Sequence, residues 1–193
     1  LGGNLDLIYR VATSVNKKKI KIAWNPGQAE LNFGLKKLLP ILRTLNVLIL
    51  NRAEAASLTG LTLENEITDL FNNLTVTTPG VITITDGVNG AYATPGVAEE
   101  ENIYFVPATG EKCVNCTGAA DAFGSGLVAG LMKYNQLETA LKLATLNAGS
   151  VVQTMGAKQG LLKRFPSKNK LDKIFDPFYR AKSIHAVGES SGL

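Results

Sequence analysis

The sequence predicts an α/β fold in which a mostly parallel sheet is flanked by helices. Short apolar runs alternate with helix-spaced patterns through the first half of the 193 residues, the arrangement that builds a covered parallel sheet. Two apolar runs then follow one another with no helix between them. Two long helical patterns rich in small residues come after.

Taken in order, Ile20 to Trp24 reads as a strand and Leu35 to Leu42 as a helix. Val47 to Leu50 is the next strand, and Arg52 to Leu58 is a short helix closed by Gly60. Leu63 to Asn72 is predicted as a helix and Val81 to Thr85 as a strand. Ala91 to Thr94 and Ile103 to Val106 lack an intervening helix, so the sheet is expected to end in antiparallel strands. The long helices are placed at about Ala119 to Tyr134 and Leu137 to Gln153. Their interior glycines Gly126, Gly130 and Gly149 allow close helix packing at some cost in propensity. Gly2-Gly3 reads as a loop, residues 1–175 as one functional unit and residues 176–193 as a loosely held tail.

Composition narrows the classes of function. With 45% hydrophobic residues the chain can bury the core of one ordinary domain. The formal charge of +4 is concentrated in Lys158 to Lys182, where eight Lys or Arg face only Asp172 and Asp176. No aromatic interleaving or recognition-helix motif accompanies that segment, so nucleic acid is not the expected partner. No apolar run is long enough for a membrane span. Two cysteines make no disulfide framework, and Cys113-x-x-Cys116 lacks the second pair of a structural zinc site. They read as free structural thiols in a reduced, cytoplasmic protein; a bridge between them would instead be expected to distort the anion seat at the helix start that follows and switch that site off.

The chemistry concentrates in Asn115-Cys116-Thr117-Gly118-Ala119-Ala120-Asp121-Ala122-Phe123-Gly124. A Thr-Gly entry leads into a helix of small side chains with a carboxylate in its first turn. The first amides of a helix lack intrahelical partners and carry partial positive charge, so the backbone from Gly118 to Asp121 can seat an anion. Asp121 beside it can take a proton from a hydroxyl while the amides of Ala119, Ala120 and Asp121 hold charge on a transferring phosphoryl group. A first-turn carboxylate also serves simply as a partner of the helix dipole.

This run resembles the second signature of the ribokinase-like, or phosphofructokinase B, carbohydrate kinase family, usually Asp-Thr-x-Gly-Ala-Gly-Asp-x-Phe. Asn115, Cys116 and Ala120 depart from it, standing for Asp, Thr and the second Gly. Further segments resemble the family in the same order: Asn25-Pro26-Gly27 after a strand, Asn51-Arg52-Ala53-Glu54 as its Asn-x-x-Glu, and Thr85-Asp86-Gly87-Val88-Asn89-Gly90 as its Thr-x-Gly-x-x-Gly turn. Asn147-Ala148-Gly149-Ser150 and Met155-Gly156-Ala157 resemble the borders of the adenine pocket. The resemblance implies a three-layer ribokinase-like sandwich represented here by its C-terminal portion, without the N-terminal part that grips the sugar.

It also implies an ATP-dependent kinase acting on a hydroxyl of a small sugar or polyol, with nucleosides and phosphosugars left open. Asp121 would be the general base, and Gly118, Ala119 and Ala120 the anion seat. Asn51 and Glu54 would organise Mg²⁺ and phosphates, and Thr85, Gly87, Gly90, Thr117 and Asn147 would border the nucleotide. Read bottom-up, Asn51 equally caps the helix starting at Arg52 with Glu54 in its first turn, and both roles can hold together. Asn147 also fits a polar packing position within a helix. Because Asn115 removes a charge that the family often uses for a monovalent cation, potassium dependence is expected to be weak or absent. The different-class alternative is a catalytically weak or inert nucleotide-binding fragment. The sequence leaves a homodimer open.

Overall fold

The structure is a computed structural model that describes residues 3–96, 102–110 and 112–175. Five strands form one sheet in the order β1-β2-β3-β4-β5. They are β1 (Ala23–Trp24), β2 (Val47–Asn51), β3 (Val81–Thr85), β4 (Ala91–Thr94) and β5 (Tyr104–Val106). The pairs β1/β2 and β2/β3 are parallel, while β3/β4 and β4/β5 are antiparallel. The sheet is therefore mixed: its pairings divide evenly, and β4 alone runs against the other strands.

Alternation along β2 sorts the layers. Leu48 and Leu50 face a core made with α1 (Leu5–Lys17), α3 (Leu35–Leu42), α4 (Arg52–Thr59) and α5 (Ile67–Thr75). Val47 and Ile49 face the opposite core, which includes Phe123 and Leu127 of α6 (Ala119–Tyr134) and Leu141 and Ala144 of α7 (Leu137–Val152). Helix, sheet and helix thus make three layers. By the same alternation Asn51 follows Ile49, and Thr85 follows Val81, onto the α6 side.

Several elements depart from expectation for local reasons. The predicted strand Ile20 to Trp24 shortens to Ala23–Trp24 because the Ile22 amide donates to the Asn46 side chain at 2.8 Å instead of a neighbouring strand. The helix expected from Leu63 begins at Ile67, since the Thr62 amide and hydroxyl both donate to Asn65 Oδ1 and hold that segment in a turn. Three helices were not expected. In α1, Asn4 caps the Leu7 amide at 3.0 Å and Ile8 and Ala12 are buried at helical spacing. A single turn, α2 (Gln28–Leu31), is closed by Glu30, and α8 (Lys168–Ile174) starts at the Ser167 cap and buries Leu171. The tail reading of residues 176–193 lies outside the described residues; Phe175 before it packs in the α6/α7 core.

α6 and α7 pack with their backbones nearly in contact. A β-carbon at Gly130 would stand 2.7 Å from the Ala140 Cα, and one at Gly126 would stand 3.0 Å from the Ala144 Cα. Small residues in these long helices therefore buy proximity, which fixes the start of α6 against the sheet. Among the described residues, no helix is long and apolar enough to cross a membrane.

Candidate active site

The carboxyl ends of β1, β2 and β3 lie along one edge of the sheet, with Trp24, Asn51 and Thr85 as their last residues. In open α/β sheets this is the edge where ligands collect. Two shallow hollows open there.

The first, about 490 Å³, is lined by Trp24, Asn25, Ile49, Ala120, Asp121 and Met132 among others. Asp121 is exposed, and its carboxylate has no hydrogen bond or ion pair among the described residues. It lies in the first turn of α6, whose N-cap, Gly118, has φ 85° and supplies no side-chain cap. Glycine is required at that cap. Besides the positive φ, a β-carbon would collide with the Ala157 carbonyl.

The amides at this helix start are not all free. Ala119 N–H donates to the Cys116 carbonyl at 3.3 Å, and Thr117 N–H donates to Asn115 Oδ1 at 2.9 Å. Those of Gly118, Ala120 and Asp121 have no partner among the described residues. Of the expected seat from Gly118 to Asp121, the Ala119 amide is taken by the Cys116 carbonyl, and Thr117 before it contributes no free amide. Ala120 lies within the helix, where its β-carbon carries no backbone penalty.

The second hollow, about 480 Å³, is lined by Asn51, Arg52, Thr85, Asp86, Gly87 and Asn89 among others. Asn51 Oδ1 accepts from the Glu54 amide and Glu54 Oε2 accepts from the Asn51 amide, each at 2.8 Å, a reciprocal capping box at the start of α4. Glu54 keeps Oε1 without a partner among the described residues, but it lines neither hollow. Thr85 ends β3, and the Asp86 amide donates to the Gly90 carbonyl at 2.8 Å to close the turn. Gly90, at φ 119°, leaves no room for a β-carbon against the Val106 carbonyl.

Asn147 is not at the site surface. It is buried, its Nδ2 donates to the Ala122 carbonyl at 2.8 Å, and its Oδ1 accepts from the Leu162 amide at 2.9 Å. These two bonds tie α6, α7 and the following loop together, the polar packing position within a helix, in place of the expected border of adenine.

Sequence reasoning also missed the pair Arg52 and Asp86. Arg52 Nη1 lies 3.1 Å from Asp86 Oδ2, and its Nη2 donates to the Leu63 and Asn65 carbonyls. Asn51 is the register partner of Thr85, so the residues after them are neighbours by necessity. The pairing was legible only once the register was known. Asn25 was likewise noticed as a motif but not as a site residue; its Nδ2 donates to the Ile49 carbonyl at 2.9 Å and braces the floor of the first hollow.

The two sets of residues the sequence singled out therefore share an edge and a face, but they line separate hollows. Among the described residues no cluster of three or more His, Cys, Asp or Glu could hold a metal on its own. The cysteines differ from expectation as well: Cys113 and Cys116 are joined in a disulfide in the loop entering α6. The bridge closes within a local loop and leaves the first turn of α6 formed, contrary to the expected distortion. A larger cavity, about 910 Å³, lies away from this edge between β5, α7 and α8. Its Lys142 is already held by Glu138 at 2.7 Å and Asp172 at 2.8 Å.

Comparison with known proteins agrees with this fold. Ribokinase from Arabidopsis thaliana, solved with ribose and ATP, superposes with a TM-score of 0.70 at 20% identity, covering 88% of this chain and 52% of that one. An adenosine kinase from Sinorhizobium meliloti gives 0.67 at 24% identity, over 79% of this chain and 45% of that one. A probable sugar kinase from Rhizobium etli gives 0.66 at 23% identity, over 86% and 48%. The chain spans about half the length of these structures. The family model described as pfkB family carbohydrate kinase matches residues 12–164, and the chain belongs to that family.

Proposed function

We propose that this chain carries the nucleotide-binding and catalytic part of an ATP-dependent kinase that phosphorylates a hydroxyl of a sugar or a related polyol. One observation supports this reading above the rest: an exposed, unpaired Asp121 beside three unpartnered amides at the start of α6. Such a helix start favours negative charge, and in phosphoryl transfer the protein's work is positioning and electrostatic stabilisation.

In the mechanism, an Asp121 carboxylate oxygen takes the proton of the acceptor hydroxyl. The acceptor oxygen attacks the γ-phosphorus as the bond from that phosphorus to the β,γ-bridging oxygen breaks, and ADP leaves. The amides of Gly118, Ala120 and Asp121 hold the negative charge on the transferring group. Asn51, Thr85 and Gly87 lie in line along the edge for the nucleotide's phosphates and ribose. Glu54 Oε1 is uncommitted and fits a hydrated Mg²⁺, which usually keeps several waters and takes one or two carboxylates. Bound there, the ion would supply neutralisation of phosphate charge.

The second reading, a weak or inert nucleotide-binding fragment, is supported by the departures of Asn115, Cys116 and Ala120 from the family's usual signature. Calorimetric titration with ATP and Mg²⁺, paired with ADP release in the presence of a panel of sugars and nucleosides, separates the two. The kinase reading expects binding and turnover, with Asp121→Asn lowering turnover by about 10² to 10⁴ while ATP affinity stays unchanged. Binding without product from any acceptor supports the inert fragment, and no binding at all removes both.

A further inference from the structure

The disulfide between Cys113 and Cys116 spans a sequence separation of only three. A bridge closing so short a loop removes little entropy from the unfolded chain, so its effect on global stability is small. Its consequences are local. Both cysteines are exposed, within reach of a reductant. Between them, the amides of Val114 and Asn115 donate to the Val152 carbonyl at the end of α7, at 2.8 and 3.1 Å.

The bridged loop is also wired directly into the helix start. Asn115, inside the bridge, accepts from the Thr117 amide through its side chain, and Cys116, a bridge member, accepts from the Ala119 amide through its carbonyl. These two contacts turn the Thr117 and Ala119 amides onto the loop. They leave the intervening Gly118 amide, with those of Ala120 and Asp121, unpartnered. The bridged loop therefore supplies the acceptors for the Thr117 and Ala119 amides at the helix start.

We propose that Cys113 and Cys116 form a redox switch on the anion seat, with the bridged form preorganised for a nucleoside triphosphate and the dithiol form weaker in binding it. The proposal rests on the nucleotide reading above. The chemistry is thiol–disulfide exchange: two small-molecule thiols give up two electrons and two protons and join as a disulfide, and the Cys113–Cys116 bond breaks to two thiols. Oxidation by a small-molecule disulfide reverses it. Once the bond is broken, Cys116 loses its tether to Cys113, and the loop that carries the two acceptors is held only through the Val114 and Asn115 amides on the Val152 carbonyl. Ordering them again on binding carries a cost that the bridged loop does not bear.

The test uses the whole chain, prepared with oxidised glutathione or with dithiothreitol and assigned by intact mass. Calorimetric titration with ATP and Mg²⁺ should give about three- to tenfold tighter binding in the bridged form, the scale of a local preorganisation effect. Amide hydrogen exchange, with no nucleotide present, should show protection at Thr117 and Ala119 falling on reduction. A variant combining Cys113→Ser and Cys116→Ser should bind as the reduced chain does and ignore both reagents. The wild-type comparison stands even if that variant does not fold. Equal affinity in the two states, tighter binding in the reduced state, or unchanged exchange at Thr117 and Ala119 overturns the switch while leaving the nucleotide reading intact. Exchange that responds to reduction with no ATP bound in either state overturns the nucleotide reading, and the switch as a control of that site falls with it.

Discussion

Two helices, α4 and α6, begin at the same edge of the sheet, and they end their N-termini in opposite ways. At α4 the capping box of Asn51 and Glu54 satisfies both helix-start amides it can reach, and Arg52 beside it is tied to Asp86 and two carbonyls. At α6 a left-handed glycine replaces a side-chain cap, and three amides and one carboxylate are left without partners. Leaving polar groups unsatisfied costs stability. A chain that caps one helix start with side chains and leaves its neighbour uncapped braces the first end, where Asn51 still lines the second hollow, and exposes the backbone of the other.

That contrast can be broken from either side. The largest effect is expected at Gly118→Ala, where both the positive φ and the collision with the Ala157 carbonyl oppose a β-carbon. The left-handed conformation alone costs about 1–2 kcal/mol, and ATP binding by titration should be lost while circular dichroism shows the helices retained. Next comes the closed side. Arg52→Met removes a largely buried charge-assisted network, with side chains 27% and 17% exposed for Arg52 and Asp86, and should lower stability by about 2 kcal/mol in urea unfolding. Because Arg52 and Asp86 also line the second hollow, that loss is expected together with weaker ATP binding by the fraction still folded, read by titration.

A smaller effect is expected at Glu30, which holds the loop after β1 beside the first hollow. Its Oε1 accepts from the Gly3 amide at 2.9 Å and its Oε2 from the Gly27 amide at 3.0 Å. The Gly3 amide, against the opposing effect of burial and with the Gly27 amide adding to it, holds the carboxyl below its ordinary value of 4.5. A lowered value means the stabilisation is complete above about pH 4.5 and is lost as pH falls through the folded-state value. Glu30→Gln should therefore flatten the acid side of the stability curve, by about 1 kcal/mol. The smallest change is expected for Ala120→Gly. Its methyl lines the hollow next to Asp121, so removing it should raise turnover modestly, and an equal or lower rate counts against crowding there.

How much of this was legible in the sequence follows from the range of the interactions involved. Leu35–Leu42, Val81–Thr85, Ala91–Thr94 and Ala119–Tyr134 were read at their observed bounds because each carries its own periodicity and its own stop. The first strand and the helix after Gly60 were misplaced because Asn46 and Asn65 bond backbone amides through their side chains, which periodicity does not report. α1 had a readable start in Asn4 that was passed over. The places of Gly118 and Asp121 at the start of α6 were legible since helix-start signals are local. Asn147 was misread because its partners, Ala122 and Leu162, come from separate segments that only packing brings to it. The division of the edge into two hollows, and the bridge between Cys113 and Cys116, required the folded arrangement.

The close contact of α6 with α7 through Gly126 and Gly130 has a mechanical consequence for this edge. A helix resting on its neighbour with no side-chain cushion can neither slide nor roll without lifting off, so the start of α6 behaves as an anvil. In the proposed reaction, movement then falls to whatever approaches that end: the loop after β1, the turn after β3, and the incoming ligand itself.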